Sequence, residues 1–193
     1  MNCFQGTSHR RLALICTFLL GTFTSIQVYA QTADNTPKVK VFPIETVNKS
    51  TVPGKASTFT WKDGTNLSNL IQYGAGKVIF LNFWATWCPP CRKEIPDIIE
   101  LSKEFSENDV LVLGVSMDRD DEALKTVSKF VRLKNMPYTV LVGNDQVADA
   151  FDGIGAIPTT FIIKADGSIS EKIVGARSKE DFKSAIMRAM VKK

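Results

Sequence analysis

Apolar positions in this chain gather into short, nearly unbroken runs that alternate with stretches of helical spacing. Val78-Ile79-Phe80-Leu81-Asn82-Phe83-Trp84 is apolar except for Asn82, the pattern of a strand covered on both faces of a sheet. Over 94–105 the apolar residues Ile95, Ile98, Ile99, Leu101 and Phe105 recur at helical spacing, which predicts an amphipathic helix directly after that strand. Residues 110–115 and 138–142 read as further buried strands, with a helix between them marked by Leu124, Val127, Phe130 and Val131 and a short helix after them over 146–151. The acids of Asp118-Arg119-Asp120-Asp121-Glu122 lie at the start of the 124–131 helix, where they complement its dipole and are read as capping residues. Farther on, 159–163 and 169–174 flank Ala165-Asp166-Gly167-Ser168, a hairpin signal. Ser178-Lys179-Glu180-Asp181 has the form of a capping box before the stripe Phe182, Ile186, Ala189 and Met190. Strands alternating with helices predict a layered α/β domain.

The entry to that domain is less regular. Phe59-Thr60-Trp61 alternates, Asp63-Gly64 supplies a turn, and Leu67, Leu70 and Ile71 suit one helical turn, so 58–193 is read as one domain entered through a hairpin. Residues 31–57 are polar and carry Pro37, Pro43, Pro53 and Gly54, which predicts a tether with at most one short strand over 39–44. Within 1–30, His9-Arg10-Arg11 precedes an apolar run from Leu12 to Leu20, and Val28-Tyr29-Ala30 offers a small residue before Gln31. That order reads as a secretory signal peptide and places the protein in the periplasm or otherwise outside the cytoplasm. Retention of residues 10–30 as a membrane anchor is the alternative, and the only route by which the chain would touch a membrane. Gly21, Thr22, Thr24, Ser25 and Gln27 make that segment a weak span.

The chain has 193 residues, 44% hydrophobic and 23% charged, enough for one domain with a substantial core. Its net charge is +4, and loss of Arg10 and Arg11 with the leader leaves +2. A near-neutral balance without a basic stripe argues against a nucleic-acid partner.

Candidate chemistry lies in Trp87-Cys88-Pro89-Pro90-Cys91, where the first buried strand runs into its helix. Unpaired N–H groups and the positive end of the dipole favour an anion at that place. Thiols of Cys-x-x-Cys sites there ionise at roughly pH 3.5–7 rather than about 8.5, and the thiolate is the species that attacks a disulfide. Cys88 is the expected nucleophile, and Cys91, three residues on, is placed to resolve what Cys88 captures. Pro89 and Pro90 need no donors in a first helical turn. A structural zinc site needs two further ligands, but the other cysteines are Cys3 and Cys16 and the one histidine is His9, all in the leader. A c-type haem site wants histidine at position 92, which is Arg92. No metal and no cofactor are therefore expected. A structural disulfide closing so short a loop would constrain little of the unfolded chain, so redox work is the better account.

The segment Phe83-Trp84-Ala85-Thr86-Trp87-Cys88-Pro89-Pro90-Cys91-Arg92-Lys93-Glu94-Ile95-Pro96 resembles the active-site region of the thioredoxin superfamily, most closely its TlpA/ResA-like thiol–disulfide oxidoreductases. Ile157-Pro158-Thr159-Thr160-Phe161 resembles the family's cis-proline segment, and the likeness spans about 56–190. The resemblance implies a thioredoxin-like fold, a central mixed β-sheet flanked by helices, with an N-terminal hairpin and a central insertion. It implies a redox-active Cys88–Cys91 disulfide, a cis bond at Pro158, and Ile157 offering its backbone to an extended substrate. Trp87, Pro89 and Pro90 would add apolar substrate-binding surface. Asn82 stands where many thioredoxins carry a buried aspartate, and an amide moves no proton near neutral pH. Glu94 resembles the acid of ResA-like proteins and is expected to tune the thiols and assist proton transfer.

The implied activity is reduction of disulfides in exported proteins, apocytochromes in c-type cytochrome maturation among them, with a membrane-embedded thiol donor as reductant. A disulfide-forming oxidase is one alternative and a non-redox binder of unfolded partners another. A peroxidase of the related peroxiredoxin type would want Thr three residues before its cysteine, where this chain has Ala85.

Overall fold

The computed structural model describes residues 39–191. The leader readings for residues 1–30, and the first part of the expected tether, lie outside the described residues.

The run that reads as doubly buried is strand β4 (Val78–Trp84), and every one of its residues is buried. Val78, Phe80 and Trp84 pack into one hydrophobic cluster and Ile79, Leu81 and Phe83 into a second on the opposite face. The other strands are β1 (Val41–Asn48), β2 (Thr58–Asp63), β3 (Asn66–Asn69), β5 (Val110–Ser116), β6 (Thr139–Val142), β7 (Thr159–Ile163) and β8 (Ile169–Val174). They form one eight-stranded sheet in the order β3-β2-β1-β6-β5-β4-β7-β8. β1, β6, β5 and β4 are parallel neighbours, while β2, β3, β7 and β8 pair antiparallel, so the sheet is mixed.

Helices cover both faces. On one lie α2 (Pro89–Glu104), α3 (Ala123–Lys134) and α5 (Lys179–Met190), which contribute Ile95, Ile98 and Leu101, Val127 and Val131, and Phe182 and Ile186. Phe182 meets Phe80 of β4 edge to face at 5.0 Å. On the other face lie α1 (Leu70–Tyr73) and α4 (Asp145–Ala150), which add Leu70, Val147, Ala148 and Ala150. No helix among the described residues is long and apolar enough to cross a membrane.

Local signals are realised where their partners are close in sequence. Gly64 turns the β2–β3 hairpin at φ +62°, and Gly167 turns β7–β8 at φ +81°, conformations without steric cost for glycine. Ser178 and Asp181 form the expected capping box at the start of α5.

Two expectations are corrected. Much of the polar 31–57 stretch is not a tether: β1 spans Val41–Asn48 and sits inside the sheet between β2 and β6. Its register against β2 shifts between Ile44 and Thr46, a bulge in the middle of the strand. Ala56 and Ser57 beyond it are buried, and the Ser57 hydroxyl donates to the Ala150 carbonyl at 2.7 Å. The second correction concerns the acids before α3. Asp120 does accept from the Glu122 N–H at 3.0 Å at the start of α3, but Glu122 occupies the N-cap without a side-chain cap bond, and Asp118 is buried against the loop after β4.

Gly114 of β5 lies opposite Asn82 of β4. A Cβ there would stand 2.9 Å from Nε1 of the buried Trp84 ring. Gly114→Ala is expected to lower the unfolding free energy by about 1–3 kcal/mol through overpacking, read from urea denaturation. An unchanged midpoint would mean that the Trp84 ring has room to yield.

Candidate active site

β4 ends at Trp84, and the chain turns over 85–88 into α2, closed by the Cys88 N–H donating to the Ala85 carbonyl at 3.2 Å. Cys88 is the N-cap of α2 with extended backbone, and Pro89 and Pro90 fill the first two helical positions. The Cys91 N–H donates to Cys88 Sγ at 3.3 Å, so sulfur takes the place of the oxygen of a usual cap. Cys88 and Cys91 are joined in a disulfide with Cα atoms 5.3 Å apart.

Both cysteines are buried, Cys91 completely. Around Cys88 the surface is apolar: Pro89 and Pro90 are exposed, and Trp87 is 65% exposed, which rules it out as a core residue. Across from the pair, the Ile157–Pro158 bond is cis, and the Ile157 carbonyl oxygen lies 3.8 Å from Cys88 Sγ. Ile157 is half-buried and Pro158 buried. The structure thus gathers Trp87, Cys88, Pro89, Pro90, Cys91, Ile157 and Pro158 at one end of β4.

Glu94 lies one turn beyond Cys91, on the inner face of α2, and is only 3% exposed. Its Oε1 accepts from Asn82 Nδ2 at 2.9 Å, and the same amide donates to Thr160 Oγ1 at 3.0 Å. Oε2 accepts from the Arg177 backbone N–H at 3.4 Å. Burial pushes the carboxyl up to about 7. The Asn82 and Arg177 hydrogen bonds and the Arg177 charge oppose that rise, and Asp97 adds to it. A hollow of about 360 Å³ lined by Lys93, Glu94, Asp97, Arg177 and Asp181 opens the region beside this carboxyl towards solvent. Arg92 and Lys93 are exposed on the outer side of α2.

Three neighbours were not assigned to the site from the sequence. Thr160 supports Asn82. Thr86 and Asp118 bind each other across 32 residues, with the Thr86 N–H and hydroxyl donating to Asp118 at 2.9 and 2.5 Å. The available signal was the position of Asp118 just past a buried strand beside β4. Among the described residues, no group of three or more His, Cys, Asp and Glu side chains is placed to hold a metal ion.

Comparison with known proteins agrees with this geometry. Residues 52–172 match the model of the AhpC/TSA family. The chain is 35% identical over 113 residues to the thiol-disulfide oxidoreductase ResA of Bacillus anthracis, a match covering 58% of this chain and 64% of the relative. It is 38% identical over 109 residues to ResA of Geobacillus thermodenitrificans, covering 56% and 60%. The chain therefore spans less than two thirds of the length of these relatives. Among solved structures it is similar to a thiol:disulfide interchange protein of the thioredoxin family from Chlorobium tepidum, with a TM-score of 0.62 and 31% identity over 74% of this chain and 99% of that one. With a family match over more than half of its length and a mixed sheet flanked by helices, the chain belongs to the AhpC/TSA family of thioredoxin-like proteins.

Proposed function

We propose that this chain is a thiol–disulfide oxidoreductase that reduces disulfides in exported proteins by cycling Cys88 and Cys91. The observation that carries the reading is a disulfide at a helix N-terminus with its first sulfur in the cap position, facing the Ile157 peptide and rimmed by Trp87, Pro89 and Pro90. Similarity to the ResA proteins supports it. Ala85, three residues before Cys88, speaks against a peroxidase among the family's chemistries.

In the dithiol form the Cys91 N–H and the dipole of α2 stabilise a Cys88 thiolate. That thiolate attacks one sulfur of the substrate disulfide, the substrate S–S bond breaks, and the departing sulfur takes a proton. Cys91 then loses its proton and attacks Cys88 Sγ, which expels the second substrate sulfur as a thiol. Two electrons have moved from the dithiol to the substrate, and the Cys88–Cys91 disulfide remains. Residues three apart on a helix are neighbours, so Glu94, with a carboxyl near neutrality, is suited to take the Cys91 proton and pass it to solvent through the adjoining hollow. Trp87, Pro89 and Pro90 hold the apolar part of an unfolded substrate, and Ile157 pairs with its backbone.

The compartment is extracytoplasmic on the strength of the leader-like 1–30, and a membrane-embedded thiol donor returns the pair to the dithiol, since an oxidising compartment does not. Apocytochromes awaiting haem are a fitting substrate class.

Turnover of a peptide disulfide is expected to fall about a thousandfold or more in Cys88→Ser. Cys91→Ser is expected to accumulate a mixed disulfide through Cys88, detected by mass spectrometry without reductant. Activity that survives in the double variant would overturn the redox reading in favour of a binder.

Glu94 also makes a stability prediction. Its folded carboxyl near 7 lies above the ordinary 4.5, so the folded protein holds this proton more tightly than the unfolded chain. The resulting stabilisation is complete below about pH 4.5 and is lost as pH rises through about 7. Between those limits the native protein is expected to lose roughly 3 kcal/mol relative to Glu94→Gln, read from urea unfolding at both ends of the range. Parallel curves for the two proteins would contradict the raised carboxyl.

A further inference from the structure

The loop that carries Cys88 is gripped from the neighbouring strand by a buried carboxylate. Asp118 is 3% exposed. Its Oδ2 accepts from the Thr86 N–H at 2.9 Å and from the Ser116 hydroxyl at 2.5 Å, and its Oδ1 accepts from the Thr86 hydroxyl at 2.5 Å. The Asp118 N–H donates to the Ser116 hydroxyl at 3.2 Å, and Met117 N–H donates to the Trp84 carbonyl at 2.7 Å. The adjacent Arg119 pairs with Asp145 and not with this carboxylate.

Among the described residues no cation pairs with Asp118, and a carboxylate so buried persists only where hydrogen bonds compensate. Packing alone would be served by an apolar side chain of the same size. Here two of the three donors belong to Thr86, inside the 85–88 turn and two residues before Cys88. The turn that delivers Cys88 to the cap of α2 is therefore held at its second residue by a charge-assisted pair.

We propose that Asp118 is a positioning residue that acts through Thr86, setting the turn that seats Cys88 Sγ at the N-cap and presents Trp87 beside it. The inference rests on the redox role of Cys88. With the clasp broken, the turn gains freedom, the Cys91 N–H loses its sulfur partner for part of the time, and the Cys88 thiolate loses that stabilisation. Thr86→Val is the sharpest probe, because it keeps the side-chain shape and the backbone N–H and removes one hydrogen bond.

The test is the rate at which iodoacetamide alkylates Cys88 at pH 7 in the full chain carrying Cys91→Ser, followed by peptide mapping so that Cys3 and Cys16 do not contribute. Thr86→Val is expected to slow alkylation about fivefold or more, the worth of a capping bond, and Thr86→Ser to return it to within about twofold of the parent. Thr86→Ala gives the same reading if the valine variant does not fold. A valine or alanine variant that reacts at the parent rate overturns the proposal. So does a serine variant as slow as valine, which would assign the effect to the lost methyl group. Alkylation does not depend on enzymatic turnover. A native chain with no disulfide turnover but with this alkylation pattern would refute the oxidoreductase reading and leave the clasp standing.

Discussion

A helix N-terminus needs acceptors for its unpaired N–H groups, and in α2 that need is met by sulfur. Pro89 and Pro90 remove two donors from the first turn, so the Cys91 N–H is the first to seek a partner, and it finds Cys88 Sγ at 3.3 Å. In a dithiol form the same bond that finishes the helix would also favour a negative charge on Cys88 Sγ. β4 brings the chain to this point buried on both faces, and the turn over 85–88 then sets the sulfur at the helix end. Neither element has freedom to move without disturbing the core on one side or the other.

In the dithiol form that the proposed reaction requires, the site would pair two groups whose surroundings push them in opposite directions. The helix end favours the ionised thiol, while burial holds the Glu94 carboxyl protonated to about 7. In the proposed reaction such a pair divides the labour of thiol exchange, one group supplying the nucleophile and the other a place for the proton. Asn82 keeps this arrangement neutral: it donates to Glu94 and to Thr160 without a charge of its own. The two groups also face different ways. Trp87, Pro89 and Pro90 surround Cys88 on the outside of the molecule, whereas Glu94 communicates with solvent through the hollow beside Arg177. An apolar substrate seated on Trp87 would leave that exit open.

What the sequence made legible depended on how far each side chain reaches for its partners. β4 was evident because burial on both faces writes a continuous apolar run, and the capping box of α5 because Ser178 and Asp181 are three residues apart. The place of the Cys-x-x-Cys pair between strand and helix was evident from the apolar run on one side and the helical spacing on the other. β1 was legible only in part, as a short strand over 39–44: only Ile44 of its residues is buried, and its parallel partner β6 lies almost a hundred residues on, so its second half and its place inside the sheet leave no mark in the sequence. Asp118 was misread for the same reason, since its exposed neighbours Asp120 and Glu122 suggest a helix start while its own partner, Thr86, is 32 residues back. The burial of Glu94 was likewise set by contacts with Asn82 and Arg177, which the helical pattern of α2 alone does not reveal.

The central claim is that Cys88 and Cys91 form a reversible pair poised to give electrons. It is tested most directly by the equilibrium reduction potential of that pair, titrated in the full chain against glutathione at known ratios and read by peptide mapping. A value near about −270 mV, in the range of a reducing dithiol, is the predicted result. A value near about −120 mV, that of a strong oxidant, would contradict the account and reverse the direction of the reaction.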